Sequence, residues 1–116
     1  MSIKITNKDV NDVRVLGIAG RITIGEETEQ FRESIRGTVN DGKNRILLNL
    51  ADVSYIDSTA LGEFISCFTH VKNNGGQLKL LNLTKKVHEL LVITKLITVF
   101  EVYDDEGRAV ESFGAA

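Results

Sequence analysis

The run Arg45-Ile46-Leu47-Leu48-Asn49-Leu50 restricts the fold more than any other stretch of this chain. A strand with one wet face alternates apolar and polar residues. A short, nearly continuous apolar run between turn signals belongs instead to an interior strand covered on both faces or nearly so. Helical patterns stand on either side of it. From Gly25 to Val39 the residues Phe31, Ile35 and Val39 recur every four positions. Glu26, Glu27 and Glu29 load the first turns, where the helix dipole favours negative charge, and Gly42 is a natural stop just beyond. After the run, Leu61, Phe64, Ile65, Phe68 and Val71 fall at i, i+3, i+4, i+7 and i+10, one stripe of a second helix. With a strand read at Val13 to Gly20, the order strand, helix, strand predicts parallel pairing.

The remaining segments complete this pattern. Ser2 to Thr6 and Val13 to Gly20 suit two neighbouring strands, with Asn7 to Asp12 as the turn of an opening hairpin. Gln77 to Leu83 predicts another strand. Thr84 to Ile93 predicts a short helix with Val87, Leu90 and Leu91 inward, Val99 to Tyr103 a last strand, and Arg108 to Phe113 a C-terminal helix. The chain has no proline, no repeat and no low-complexity segment, and its turn clusters (Asn40 to Gly42, Asn73 to Gly76, Asp104 to Gly107) separate elements rather than domains. The expectation is one α/β domain over residues 1–116, a mixed and mostly parallel sheet with about four helices packed on it.

Size and composition limit the function classes. A chain of 116 residues buries roughly two thirds of its unfolded surface and needs no disulfide staple. A net charge of −2 with both signs interspersed argues against the basic face that nucleic acid requires. Cys67 is the single cysteine, no basic-then-apolar leader opens the chain, and charged residues interrupt every apolar run well short of the ~18 residues a membrane span needs. A cytoplasmic protein is expected, without nucleic-acid or membrane partners.

Catalytic constellations are poorly supported. Ser58 with Asp57 and His70 or His88 has the residue types of a hydrolase triad. A sequence-adjacent aspartate is not the spatial orienter a triad needs, however, and the Gly-x-Ser-x-Gly elbow is absent. No enzymatic activity is expected. Cys67, His70 and His88 give only a weak metal pattern and read as core-edge and boundary helix positions, so neither metal nor cofactor is expected. Asn74-Gly75-Gly76 leads into a strand without a lysine-serine signature and reads as a turn, not a phosphate loop. Asp104-Asp105-Glu106 reads as a solvated loop.

The stretch Asp52-Val53-Ser54-Tyr55-Ile56-Asp57-Ser58-Thr59-Ala60-Leu61-Gly62 remains. Asp57 or Ser58 is the natural N-cap of the following helix, because a short oxygen-bearing side chain accepts from the free N–H groups of the first turn. Ser58 is thereby predicted at an exposed helix start. The helix wheel puts Glu63, Ser66, His70 and Asn73 on the face opposite the apolar stripe, so that a partner approaching Ser58 would meet Glu63 and Ser66.

The string from Asp52 to Gly62 resembles the signature of bacterial anti-sigma factor antagonists, which are STAS domains. Asn73 to Leu80 and Gly17-Ile18-Ala19-Gly20 extend the resemblance over almost the whole chain. The resemblance implies a binding protein. Unphosphorylated, it engages an anti-sigma factor that is itself a serine kinase of the histidine-kinase-like ATPase type, and so frees a sigma factor. The kinase phosphorylates it on Ser58, with Thr59 as second choice, the complex dissociates, and a serine phosphatase restores it. Asp57, Ser58, Thr59, Gly62, Glu63, Ser66 and Thr23 are the implied contact set. Ala60 and Thr23 depart from the commonest pattern, glycine and aspartate respectively, and an added methyl at Ala60 is expected to narrow partner choice. The alternatives are a scaffolding, sensory or lipid-transport-complex STAS module with no phosphorylated serine, and a STAS domain that binds a nucleotide or other small ligand.

Overall fold

The computed structural model describes residues 3–114. Five strands form one sheet in sequence order: β1 (Lys4–Val10), β2 (Val13–Ile22), β3 (Arg45–Ile56), β4 (Gln77–Leu81) and β5 (Val102–Tyr103). β1 pairs antiparallel with β2, and all later neighbours are parallel. The helices are α1 (Glu26–Asn40), α2 (Ser58–Asn73), α3 (Lys85–Ile93) and α4 (Glu106–Glu111). The expected α/β fold with a mostly parallel sheet and four helices is present.

The alternation of strand side chains sorts the helices into two layers. Leu16, Ile18, Ile46, Leu48, Leu78 and Leu80 point to one face and pack with Phe31 and Ile35 of α1, Phe64 and Val71 of α2, and Val87 and Leu91 of α3. The rings of Phe31 and Phe64 stack with centroids 4.4 Å apart and join α1 to α2. Val13, Val15, Leu47 and Leu81 point to the other face, where Ala109, Val110 and Phe113 of the α4 region cover them. The run around Ile46 to Leu50 is apolar because these two layers meet across β3.

Several boundaries differ from the sequence reading. Ser2, the expected start of the first strand, lies outside the described residues; β1 runs on to Val10, and the turn is only Asn11-Asp12. Both turn residues have positive φ, 46° and 68°, the geometry of a two-residue hairpin turn. β1 is an edge strand with polar residues along most of its length, so it carries no apolar signal. β3 extends to Ile56 instead of ending at Leu50, since β2 keeps pairing with it after β4 has stopped at Leu81. β4 ends at Leu81, where Asn82 turns to φ 57°, and β5 shrinks to two residues. The acidic run expected as a loop starts a helix: Asp105 accepts from the Arg108 N–H at 3.0 Å as the N-cap of α4, and Glu106 pairs with Lys8 of β1.

Candidate functional site

The C-terminal end of β3, the start of α2 and the β2–α1 link meet at one end of the sheet. Asp57 joins them. Its Oδ1 accepts the N–H of Ala60 at 2.8 Å, the N-cap bond of α2, and its Oδ2 accepts the N–H of Ile24 at 2.8 Å. Its own N–H donates to the Ile22 carbonyl at 3.2 Å. Asp57 is therefore the cap that the sequence left open between two residues. Ser58 is the first helical residue, exposed, and its hydroxyl makes no side-chain hydrogen bond among the described residues. Thr59 follows, also exposed.

The other predicted residues fall in different places. Gly62 and Ser66 are exposed one and two turns beyond Ser58, and a Cβ added at Gly62 would meet nothing within 4 Å. Thr23 lies just past β2, donating from Oγ1 to Glu27 at 2.7 Å and accepting the Thr28 hydroxyl on its carbonyl at 2.6 Å. Glu63 corrects the helix wheel. It turns toward α1, forms an ion pair with Arg32 at 2.9 Å and is only 11% exposed. The exposed face of α2 is instead Thr59, Gly62, Ser66, Thr69 and Asn73, a strip of neutral residues with the exposed Lys72 beside it at the C-terminal end. Ala60 is fully buried in the core, so its methyl is not presented to a partner and the expected effect on partner choice does not hold.

Apolar residues surround Ser58 that the sequence reading did not single out. Ile24 stands 69% exposed beside Asp57, and Tyr55 is exposed at the end of β3 with the Arg21 guanidinium 4.6 Å from its ring centre. Across from them Ile93 of α3 is 76% exposed. Tyr55, Asp57, Ser58, Lys86, Leu90 and Ile93 line an open groove of about 510 Å³. Nothing in the sequence distinguished these from core residues, because apolar type and helical spacing read alike for both.

The groups considered for other chemistry are placed as follows. Cys67 is buried between α1 and α2, and burial, reinforced by the Glu63 carboxylate, pushes its thiol up to about 12, far from a reactive thiolate. No cluster of three or more potential metal ligands occurs among the described residues, and no helix among them is long and apolar enough to cross a membrane.

Comparison with known proteins gives the family. The STAS domain model matches residues 4–109. The chain belongs to the STAS domain family. Within it, the chain is 37% identical over 103 residues to the anti-sigma-B factor antagonist of Bacillus subtilis, covering 88% of this chain and 92% of that one. It is similar to the crystal structure of a Thermotoga maritima protein described as a candidate anti-sigma factor antagonist, with TM-score 0.86, 30% identity, and coverage of 94% and 93%. The Bacillus cell fate determinant SpoIIAA in its phosphorylated form shares the fold at TM-score 0.71 and 18% identity over 94% of this chain and 98% of that one. The resemblance carried by Asp52 to Gly62 is thus borne out at the level of fold and family: this STAS domain is of the anti-sigma factor antagonist kind.

Proposed function

We propose that this STAS domain, unphosphorylated, binds an anti-sigma factor that is a serine kinase of the histidine-kinase-like ATPase type, so releasing a sigma factor, and is inactivated when that kinase phosphorylates Ser58. The observation that carries the reading is the free, exposed hydroxyl of Ser58 at the first position of α2, left unengaged because Asp57 does the capping. A serine that served only to end a helix would be spent on a backbone N–H. The exposed apolar residues Ile24, Tyr55 and Ile93 around it give the surface the character of the buried centre of an interface. Thr59, Gly62 and Ser66 extend it along the neutral strip of α2, with Thr23 at its edge, while Asp57 and Glu63 are engaged within the protein and support it from behind.

The physics of the switch is local. A phosphate on Ser58 brings about −1.5 to −2 charges and three acceptor oxygens. The N-terminus of α2 tolerates negative charge, so the fold survives. An apolar interface closed over a neutral hydroxyl does not survive, because desolvating a dianion beside Asp57 costs several kcal/mol, two or more orders of magnitude in affinity. SpoIIAA is known in both an unphosphorylated and a phosphorylated form, which supports transferring the switch to this fold. The chain contributes an acceptor and a docking surface and no catalytic group, acts in the cytoplasm, and is returned to its binding form by a serine phosphatase.

The test is incubation with candidate kinases and ATP, followed by mass spectrometry. Wild type gains one phosphate on Ser58, Ser58→Ala gains none, and Ser58→Asp is lost from kinase pull-downs. A phosphate mapped to Thr59 would move the acceptor by one residue, and a Ser58→Asp variant that binds as wild type would end the switch reading.

A further inference from the structure

The β2–α1 link is fixed at every residue. The Ile22 carbonyl accepts from the Asp57 N–H, the Thr23 carbonyl accepts from the Thr28 hydroxyl, the Ile24 N–H donates to Asp57 Oδ2, and the Gly25 carbonyl receives the Glu29 N–H at 3.1 Å. Gly25 itself has φ 106°, a conformation other residues adopt only under strain. The bonds hold out Ile24, one of the two most exposed large apolar side chains among the described residues. A flexible loop could turn such a side chain inward, and the backbone bonds of this link oppose that.

We propose that Asp57 is a positioning residue that straps the β2–α1 link to the start of α2, and that Ile24, presented by that strap, is an apolar anchor that enters a pocket of the kinase when Ser58 is engaged. The proposal rests on the partner reading above and names what else that partner grips. Both Asp57 oxygens are occupied by backbone N–H groups, so its charge is partly compensated and the surface between Ile24 and Ser58 presents hydroxyl and hydrocarbon. That surface suits an apolar pocket, not a basic one. Because the link is already ordered, burying Ile24 on binding carries little ordering cost, and the full transfer of an isoleucine side chain corresponds to roughly tenfold to hundredfold in affinity. Asp57 thus caps the helix that carries the acceptor serine with one oxygen and straps the anchor with the other, so the two roles can be separated.

Three variants separate these roles: Ile24→Ser, Asp57→Asn and the double variant. The side-chain amide introduced by Asp57→Asn retains an acceptor for the Ala60 N–H but cannot also accept from Ile24, so the helix cap remains while the strap is cut. The kinase that phosphorylates the wild-type chain is the probe, with KM and kcat measured for transfer to Ser58, together with hydrogen exchange of the Ile24 amide in the free protein. Ile24→Ser is expected to raise KM about tenfold or more with little change in kcat. Asp57→Asn is expected to speed exchange at Ile24 by about tenfold or more and to raise KM, and the double variant to be no worse than Ile24→Ser alone, since both act through one side chain. An unchanged KM for Ile24→Ser, additive effects in the double variant, or unchanged exchange at Ile24 overturns the proposal. A wild-type chain that no kinase phosphorylates overturns the partner reading instead, and the exchange measurement then decides the strap by itself.

Discussion

Lys79 offers the sharpest test of how the second layer is held. It lies in the middle of β4 on the α4 side of the sheet, only 5% exposed along its side chain. Its Nζ donates to the Ser112 carbonyl at 3.0 Å and the Ser112 hydroxyl at 2.9 Å, sits 3.3 Å from Glu101, and lies 4.8 Å from the centre of the Phe113 ring. Arg45 donates to the Phe113 carbonyl at 2.8 Å, so two cations donate to carbonyls at the C-terminal end of α4, where the helix dipole is negative. Lys79→Met keeps the stem between the same neighbours and removes the charge. Two hydrogen bonds from a charged donor are worth about 1.5–3 kcal/mol each, against which stands the desolvation of a buried ammonium. The expected net loss is about 1–3 kcal/mol. Lys79→Ala also removes the buried stem and leaves a cavity, so it should fall at least about 1 kcal/mol below Met. Urea denaturation gives both numbers, and hydrogen exchange should show the loss first in α4. A Lys79→Met protein as stable as wild type would mean that Val110 and Phe113 hold α4 by packing alone and that the ammonium contributes nothing net.

Three further outcomes follow from particular contacts. The Cys67 thiol, pushed up to about 12 in the folded protein from an ordinary value of 9.0, favours folding while it stays protonated. That contribution is complete below about pH 9 and is lost as pH rises toward about 12. Between about pH 8 and pH 10 wild type should lose about 1.4 kcal/mol more than Cys67→Ala, as read by denaturation at each pH, and equal losses would refute the placement. At about pH 8 the native thiol should react with a disulfide reagent at least about tenfold more slowly than in urea, and comparable rates would contradict its burial. Gly76→Ala should destabilise by about 1–3 kcal/mol in thermal melts, because a Cβ there would stand 2.1 Å from the Asn44 carbonyl oxygen, on the backbone that pairs with the start of β4; an unchanged midpoint would show that the α2–β4 link yields easily.

What the sequence revealed depended on whether burial left a periodic trace. α2 was legible from its stripe, since Leu61, Phe64 and Val71 face a continuous sheet surface. β1 was misjudged because an edge strand with polar residues along it has no face to mark, and the hairpin turn was recoverable only from the tolerance of Asn11 and Asp12 for positive φ. The second half of β3 was missed for the related reason that β4, its neighbour on one side, ends before it does, leaving only β2 paired with it. Ser58 was found as a helix start, but the choice of Asp57 as cap needed the Ile24 N–H, a partner 33 residues away that local spacing cannot supply. Glu63 fell on the polar face of a wheel drawn for α2 alone, whereas Arg32 of α1 lies beside it in the fold. Ile24, Tyr55 and Ile93 look like core in any linear reading. Only the packed structure shows them left outside, gathered around one serine.

The central claim is that a phosphate on Ser58 abolishes partner binding without disturbing the fold. The direct measurement is the affinity of the kinase for the unmodified chain and for the chain phosphorylated on Ser58, alongside the thermal midpoint of each form. The predicted result is an affinity at least about a hundredfold lower for the phosphorylated form, with midpoints within a few degrees of each other. Equal affinities would contradict the claim, and so would a loss of binding that tracks a collapse in the midpoint.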